Sequence, residues 1–375
     1  MDNTDCYNSS LKCNVSLSQP IRTVHYPDIG ERMLNLLDNP HHMIASLIGL
    51  VAISLNLLVV LALHSVRQRL TCHHQLIMSL AASDMVVGSS VVLHIISTVL
   101  SPMHYPGGPH LQQQRLLSSC LHLAIKALNS AGLNMTLINL MLMAVEHFLA
   151  IYRPLRYMVL MNKTRLKLII LLAWLCAFVL GYSDLFSAAH IYHKNVQYGY
   201  NYCELVHLTS YQAEYTVLAV APICMFVMCY LYGHIYLKIR RHRLPGYVPE
   251  SSRVNHSTTK ALVTTLLTVG TFVISWVPTF LFQVIMLIRV KYDTAAVERN
   301  MPILYLVNQY LFDLLILNAL SDALIYAIRV KEVKHGLRKL LWCKGRNNNM
   351  PYDQVSMRRL TRASSLSVQG TKELK

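Results

Sequence analysis

Seven long apolar segments run along this sequence, and each is long enough to cross a lipid bilayer. A transmembrane helix needs about 20 mostly apolar residues, because each residue advances about 1.5 Å and the hydrocarbon layer is about 30 Å thick. We therefore predict an all-α membrane protein built as a seven-transmembrane helix bundle. The segments cover approximately residues 43–63, 76–100, 116–151, 166–186, 215–237, 261–288 and 301–328.

The composition agrees with a membrane location and argues against an enzyme. Hydrophobic residues make up 54% of the chain and charged residues only 14%, whereas soluble domains carry about 25% charged residues. The sequence has no zinc-protease HExxH motif, no GxSxG nucleophile motif and no phosphate-binding loop. The longest segments outside the spans, residues 1–40 and the last thirty or so, are too short to hold a catalytic domain. We expect no enzyme activity and no cofactor other than a structural sodium ion.

The net charge of +16 reflects topology. Lysine and arginine are concentrated in alternate loops, such as residues 153–167 and 238–260, and in the tail after residue 329. Positively charged loops remain on the cytoplasmic side of a membrane. We therefore predict a multi-pass plasma-membrane protein with residues 1–40 outside the cell. Because the basic residues flank spans, nucleic acid is not an expected partner.

Two kinds of covalent modification are expected on the outer side. Asn8 and Asn14 begin N-x-S/T triplets and are predicted glycosylation sites. Cys120, at the outer start of the third span, and Cys203, before the fifth, can pair in the oxidising outer compartment. Cys6 and Cys13 can also close a small N-terminal loop, and the sequence leaves that pairing open.

Two carboxylates lie inside apolar spans, where ionisable groups are costly and indicate function. Asp84 is in the second span and Asp322 in the seventh, while Thr136 of the third span and Asn318, one helical turn before Asp322, offer further oxygen atoms. One hypothesis is that these four residues hold a hydrated sodium ion. The alternative is a structural polar network with one carboxylate protonated.

A set of short motifs, in order on consecutive spans, resembles the rhodopsin-like (class A) G protein-coupled receptors over about residues 43–343. Asn56 lies in the first span, Asp84 in LAASDM of the second and Trp174 in the fourth. The third span ends in AVEHFLAIYRPLRY, the sixth contains FVISWVP and the seventh ends in SDALIY. The positions that match the family's activation switches are Pro222, Tyr230, Phe272, Trp276, Pro278 and Tyr326.

This resemblance implies a receptor that converts binding of an extracellular ligand into opening of the fifth and sixth helices toward a heterotrimeric G protein. The phrases FLAIYRPLRY and SDALIYAIR look most like the branch that contains melanocortin, adenosine, cannabinoid and lysophospholipid receptors. An arrestin-like protein is a further implied partner.

The chain departs from the family at positions that govern coupling. The triplet Glu146, His147 and Phe148 stands where the family usually has an acidic residue, arginine and an aromatic residue. Histidine is shorter and largely neutral near pH 7, so weaker contacts with Glu146 and with a G protein are expected. Ala323 replaces the usual proline of the seventh span, which predicts a straighter helix. Thr258 replaces the usual acid of the sixth span, so no ionic tether to the third helix is expected.

The resemblance also narrows the ligand class. Asn129 stands where aminergic receptors carry aspartate, and the seventh span has no lysine for a retinal Schiff base. His94, His122 and Lys126 occupy positions of the melanocortin acidic cluster. Lys126 either binds an anionic or carbonyl group of the ligand or extends its amine to outer water. The two histidines either line the pocket or are ordinary interfacial residues.

The segment after the seventh span is predicted to form an amphipathic helix over residues 329–343 on the anionic inner leaflet. Cys343 at its end is a predicted palmitoylation site. Residues 344–375 are predicted to form a disordered cytoplasmic tail, where phosphorylation beside arginines would recruit an arrestin-like partner. The predicted phosphorylation sites are Thr361, Ser364, Ser365 and Ser367.

The sequence thus predicts a cell-surface receptor for an extracellular ligand, with atypical or weakened G protein coupling. The first alternative is a receptor-like protein that signals poorly through G proteins and acts as an arrestin-linked, scaffold or scavenger partner; His147 and Ala323 favour it. A transporter is disfavoured, because the spans lack the broken helices in repeated halves that many transporters show.

Overall fold

A computed structural model describes residues 40–66, 71–100, 109–153, 156–157, 159, 161–183, 203, 212–242, 256–292 and 294–342. Within these ranges, eight helices have twelve residues or more. Seven of them, α1 to α7, are long and apolar enough to cross a membrane, which confirms the predicted seven-helix bundle. The helices are α1 (Pro40–Ser65), α2 (Cys72–Leu100), α3 (Pro109–Tyr152), α4 (Lys163–Gly181), α5 (Gln212–His242), α6 (His256–Tyr292), α7 (Thr294–Arg329) and α8 (Lys331–Trp342).

The fourth helix is shorter than the apolar pattern suggested. The segment was expected to reach residue 186, but α4 ends at Gly181 and its C-cap is Tyr182. At its start, the side chain of the N-cap Asn162 accepts a hydrogen bond from the backbone N–H of Thr164, as asparagine commonly does at this position. The expected span was longer because Leu185 and Phe186 are apolar, although Ser183 and Asp184 before them are polar.

The outer surface of the bundle is apolar. Phe226 on α5 is 75% exposed and Ile274 on α6 is 72% exposed, and large aliphatic side chains of α1 and α4 are also turned outward. Such a surface is stable only where lipid replaces water. The apolar surplus of the sequence therefore covers the outside of the bundle, and polar side chains are free to occupy its interior.

Buried polar side chains join the helices across that interior. The side-chain amide of Asn56 on α1 donates to the backbone carbonyls of Ala52 and of Ala319 on α7, both at 3.0 Å. The indole N–H of Trp174 on α4 donates to Ser79 Oγ on α2 at 3.2 Å. These hydrogen bonds satisfy groups that would be costly to leave unpaired in hydrocarbon.

An eighth helix follows α7, as the sequence predicted, and it packs on the end of α1 that leads toward α2, here called the inner end. A Cβ atom at Gly336 would lie 2.1 Å from the backbone oxygen of Ala62, so only glycine permits this approach. Val333 is fully buried, whereas Leu340 and Leu341 are exposed. The apolar face of α8 is therefore divided: its first turns pack on the bundle, and its end presents leucines that can enter a membrane surface.

Candidate functional site

A cavity of about 460 Å³ opens at the end of the bundle where α1 begins, here called the outer end, between α1, α2, α3, α5, α6 and α7. Cavities of this size hold small organic ligands or parts of larger ones. The four side chains that the sequence singled out for ligand binding all line it: His94, His122, Lys126 and Asn129.

The polar walls of the cavity are held in place by neighbouring side chains. Ser90 Oγ donates to Asn129 Oδ1 at 2.9 Å, and Ser97 Oγ lies 3.0 Å from His122 Nδ1. The rings of His94 and His122 pack edge to face with centroids 5.3 Å apart. These contacts preorganise one wall of the cavity on α2 and α3.

The structure adds a second polar wall that the sequence analysis missed. Nδ1 of His41 on α1 lies 3.0 Å from Oδ2 of Asp313 on α7, and both residues are buried. His41 and His42 line the cavity. The available signal was Asp313 itself, a third carboxylate within an apolar span, which should have been treated like Asp84 and Asp322.

One predicted switch residue, Trp276, forms part of the cavity floor, and another, Phe272, stacks against it. Trp276 lines the cavity, and its ring stacks on Phe272 with centroids 5.2 Å apart. Both side chains are buried. Pro278, two residues further along α6, has no N–H to donate to the carbonyl four residues earlier, so the helix has a local weak point beside the cavity. Pro222 places a similar break within α5.

The two predicted switch tyrosines lie in different environments. Tyr326 on α7 is fully buried, and its hydroxyl accepts a hydrogen bond from Thr268 Oγ1 on α6 at 3.5 Å. Tyr230 on α5 is 57% exposed and packs against His234. The neighbouring Tyr232 is buried instead. In this conformation Tyr230 is therefore directed out of the bundle core.

The predicted polar group in the middle of the bundle is buried and largely unpaired. Thr136 Oγ1 lies 3.3 Å from Asp84 Oδ1. Oδ2 of Asp84, both carboxylate oxygens of Asp322 and Oδ1 of Asn318 have no hydrogen-bond partner among the described residues. These oxygens are hard ligands of the type that bind small cations, so the residues present fit a sodium ion.

The seventh helix is continuous through the Ala323 position. α7 runs from Thr294 to Arg329 without interruption, and Ala323 is 1% exposed within the core. With alanine here, the backbone keeps the N–H donor that proline would remove. Pro302, the proline that α7 does contain, lies toward its outer end.

At the inner end of the bundle, the triplet on α3 makes contacts that differ from those expected of an arginine. Glu146 and His147 are both buried. His147 Nε2 lies 2.8 Å from Thr265 Oγ1 on α6, and Phe148 stacks on Tyr152. The sequence led us to expect no ionic tether at Thr258, and the side chain of that residue lies outside the described residues. The contact of His147 with Thr265 was not predicted. The contact between α3 and α6 thus lies at Thr265, about two helical turns deeper in the bundle than Thr258.

Tyr157, just beyond α3, completes the surroundings of Glu146. Its hydroxyl donates to Glu146 Oε1 at 2.7 Å. Burial, together with the nearby carboxylate, raises the pKa of Tyr157 well above the usual value for tyrosine. The phenol therefore remains a proton donor throughout the physiological pH range.

The structure joins Cys120 on α3 to Cys203 by a disulfide, with Cα atoms 5.0 Å apart. This link ties the segment before α5 to the rim of the cavity. The predicted modification sites and the other outer cysteine pair lie outside the described residues: Cys6, Asn8, Cys13, Asn14, Cys343, Thr361, Ser364, Ser365 and Ser367.

Comparison with known proteins finds similarity to receptors with seven transmembrane helices. Residues 55–326 match the family described as 7 transmembrane receptor (rhodopsin family). The chain is 22% identical to melanocortin receptor 5 of Rattus norvegicus over 303 residues, which cover 80% of this chain and 83% of the relative. It is 25% identical to melanocortin receptor 3 of Homo sapiens over 314 residues, covering 80% and 85%. It is also 25% identical to G-protein coupled receptor 52 of Mus musculus over 312 residues, covering 78% of each.

Proposed function

Since this chain belongs to the rhodopsin (class A) family of G protein-coupled receptors and is related to its melanocortin branch, we propose that it binds an extracellular ligand in the outer cavity and couples only weakly to G proteins at rest. Membership makes it a multi-pass plasma-membrane receptor with a heterotrimeric G protein as partner. The family is one of receptors and not of enzymes. The proposal concerns the chemical class of the ligand, the orientation of the chain in the membrane and the strength of coupling to G proteins.

The N-terminus faces the outside in this proposal. The basic residues of the alternate loops and of α8 then lie in the cytoplasm, in accordance with the positive-inside rule. The Cys120–Cys203 disulfide then lies in the oxidising compartment, where such a bond persists.

The ligand carries a carboxylate or another strong hydrogen-bond acceptor on an apolar body. Among the described residues that line the cavity none is acidic, whereas Lys126 and four histidines contribute nitrogen atoms. The carboxylate of Asp313 is already matched with His41. A ligand acceptor group would meet Lys126 and His122, and its apolar part would rest on Trp276.

Activation is a shift between a closed and an open inner end, so the ligand acts through its differential affinity for the two states. A ligand that presses on Trp276 moves Phe272 with it, because the rings are stacked. Pro278 lets α6 bend there. Opening must then break two contacts that α6 makes further in, from Thr268 to Tyr326 and from Thr265 to His147.

A sodium ion held by Asp84, Thr136, Asn318 and Asp322 is part of the closed state in this proposal. It would supply the positive charge that two neighbouring buried carboxylates lack. The unpaired oxygens of Asp84, Asn318 and Asp322 support this assignment.

The observation that carries the weak coupling is the position of His147. The side chain is 2% exposed and its Nε2 lies 2.8 Å from Thr265, so it offers no charged donor at the inner surface. An arginine is longer and always charged. Restoring it should therefore supply the contact with a G protein.

The test compares the wild type with His147→Arg in cells that carry a panel of G protein dissociation sensors, at matched surface levels. We expect higher basal or ligand-stimulated coupling from His147→Arg than from the wild type. Ser54→Ala, at an exposed position on α1 outside the cavity, is a control expected to match the wild type. Equal coupling of wild type and His147→Arg would contradict restraint by His147.

A second function is favoured by the same buried histidine. If only His147→Arg couples, the natural chain acts mainly through other partners, with arrestin as the first candidate. The hydroxyl groups at Thr361, Ser364, Ser365 and Ser367, which follow arginines in the tail, support this alternative. Arrestin recruitment by the wild type, and its loss when these four residues are replaced by alanine, is the corresponding measurement.

A further inference from the structure

Two histidines and a glutamate meet at the inner end of the bundle. His73 belongs to α2, whereas Glu146 and His147 belong to α3. All three are buried, with exposures of 9%, 4% and 2%. One ligand-type atom from each residue lies within 4.8 Å of the others. We call these three residues the inner cluster.

The spacing of the inner cluster suits a tetrahedral metal ion. Glu146 Oε2 lies 3.4 Å from His73 Nδ1 and 3.2 Å from His147 Nδ1. With metal–ligand bonds of about 2.0–2.1 Å, tetrahedral geometry separates neighbouring ligand atoms by roughly 3.3 Å. Both distances to the carboxylate oxygen are therefore close to those of a formed site, and the ligand atoms of the two histidines lie within 4.8 Å of each other.

Three polar atoms of the inner cluster make no well-oriented hydrogen bond with the described residues, although the carboxylate lies within ion-pair distance of both imidazoles. Both ring nitrogens of His73 and Oε2 of Glu146 have no hydrogen-bond partner among the described residues. Buried polar atoms are normally paired, so such a concentration calls for an explanation. A bound cation would satisfy the three residues at once.

Two of the three residues, Glu146 and His147, have second contacts of the kind found around known metal ligands. Tyr157 donates to Oε1 of Glu146 and leaves Oε2 to face the histidines. His147 uses Nε2 to contact Thr265 and leaves Nδ1 to face Glu146. Metal-binding histidines usually donate their second ring N–H to such a partner, which fixes the tautomer and the ring plane.

We propose that His73, Glu146 and His147 form a Zn²⁺ site at the inner end of the bundle. Two imidazole nitrogens and one carboxylate oxygen suit zinc, whereas calcium and magnesium prefer oxygen ligands alone. Three protein ligands leave a fourth position for water.

The effect of zinc on signalling rests on the proposed function of the receptor. With Nδ1 of His147 on the metal, Nε2 carries the proton and donates to Thr265 on α6. Zinc thus ties α2, α3 and α6 together at the end that must open. By linkage, an ion that binds the closed state better than the open state shifts the population toward the closed state. Zinc on the cytoplasmic side therefore lowers G protein coupling.

The first experiment measures metal binding to the full-length receptor in lipid nanodiscs, without any signalling readout. Zinc affinity is determined by competition with a chromophoric chelator, and Co²⁺ is added as a spectroscopic substitute whose visible absorption reports tetrahedral coordination. The variants are His73→Gln and His147→Arg. His74→Gln is the matched control, since His74 adjoins His73 but contacts Glu332 and Thr71.

We expect wild type and His74→Gln to bind one zinc ion that His73→Gln and His147→Arg bind at least about 10- to 100-fold more weakly. The visible absorption of bound Co²⁺ should likewise be lost in His73→Gln and His147→Arg. His147→Arg is chosen because arginine is the residue usual in the family at this position, and its thermal midpoint without zinc is measured beside that of the wild type to verify that it folds. Equal zinc affinity in wild type and both cluster variants, or no zinc binding by the wild type, would overturn the site.

The second experiment exposes the inner face of membrane vesicles to buffered zinc and follows G protein activation. We expect zinc to lower activation by wild type and by His74→Gln but not by His73→Gln. If zinc binds in the first experiment but activation is unchanged, the regulatory role is overturned and the metal site remains. If the wild type does not couple at all, the proposed function fails, and the binding experiment still decides the metal site.

Discussion

Nδ1 of His41, in the first turn of α1, lies 3.0 Å from Oδ2 of Asp313 on α7. The two residues are 272 positions apart in sequence and close the bundle at the edge of the outer cavity. His42 and Tyr310 pack against the His41 ring. The pair therefore links the first and last spans, and His41 also forms part of the wall of the outer cavity.

Replacing Asp313 by leucine should destabilise the receptor. Since both side chains are buried, the change leaves the imidazole of His41 without its charged partner, at a cost of about 1.5–3 kcal/mol. The thermal unfolding midpoint of purified receptor measures the effect. Ser321→Ala, at a half-buried position on the same helix where the hydroxyl bonds only to its own helix, should leave the midpoint nearly unchanged, and equal midpoints for both variants would contradict a stabilising role for the pair.

Sodium should stabilise the wild-type receptor but not Asp84→Asn or Asp322→Asn. An ion that binds only the folded protein raises stability as its concentration increases, and these variants remove the charge that attracts it. The measurement is the thermal midpoint in sodium chloride against choline chloride at equal ionic strength. Ser54→Ala, an exposed position on α1, should respond as the wild type does. The same sodium response in the aspartate variants would favour a network that shares a proton.

Tyr157→Phe should destabilise the inner end by about 1 to 2 kcal/mol, because Glu146 loses a hydrogen-bond donor. The raised pKa of Tyr157 sets the pH dependence. A raised folded-state pKa gives stability that is present below the unfolded value of about 10 and is lost as pH rises through the folded value. The difference from wild type should therefore be constant between about pH 6 and about pH 9.

Thermal midpoints across that range test this expectation. Tyr236→Phe, at an exposed position on α5, is the matched control and should not change stability. No difference between Tyr157→Phe and the wild type, or a difference that changes within this range, would contradict a phenol that stays protonated and donates to Glu146.

Gly336→Val should displace α8 from α1. Any Cβ at this position would lie 2.1 Å from the Ala62 carbonyl oxygen, and backbone cannot move aside as a side-chain end can. We expect a loss of about 1–3 kcal/mol, measured as a lower thermal midpoint and reduced surface level. Gly270→Ala on α6 is the control, since nothing lies within 4 Å of its Cβ position; it should be neutral or stabilising. Equal behaviour of the two variants would contradict tight packing of α8.

The sequence predicted those site residues whose polarity or charge differs from that of the apolar segment around them. Asp84 and Asp322 are conspicuous because carboxylates are rare in apolar spans, and Lys126 and Asn129 because they stand at positions familiar from related receptors. Asp313 has the same contrast and was overlooked. Nothing in the sequence separates His73 from His74, although only His73 faces Glu146 and His147.

The sequence by itself determined the number of spans, the eighth helix and the family, because segment length, hydropathy and short motifs are local properties that the bilayer selects directly. Only the tertiary structure decided which side chains meet: His41 with Asp313, His147 with Thr265, and His73 with Glu146. The reason is physical. Contacts between helices depend on the rotation and depth of each helix in the bundle, and these are set by packing against several neighbours at once.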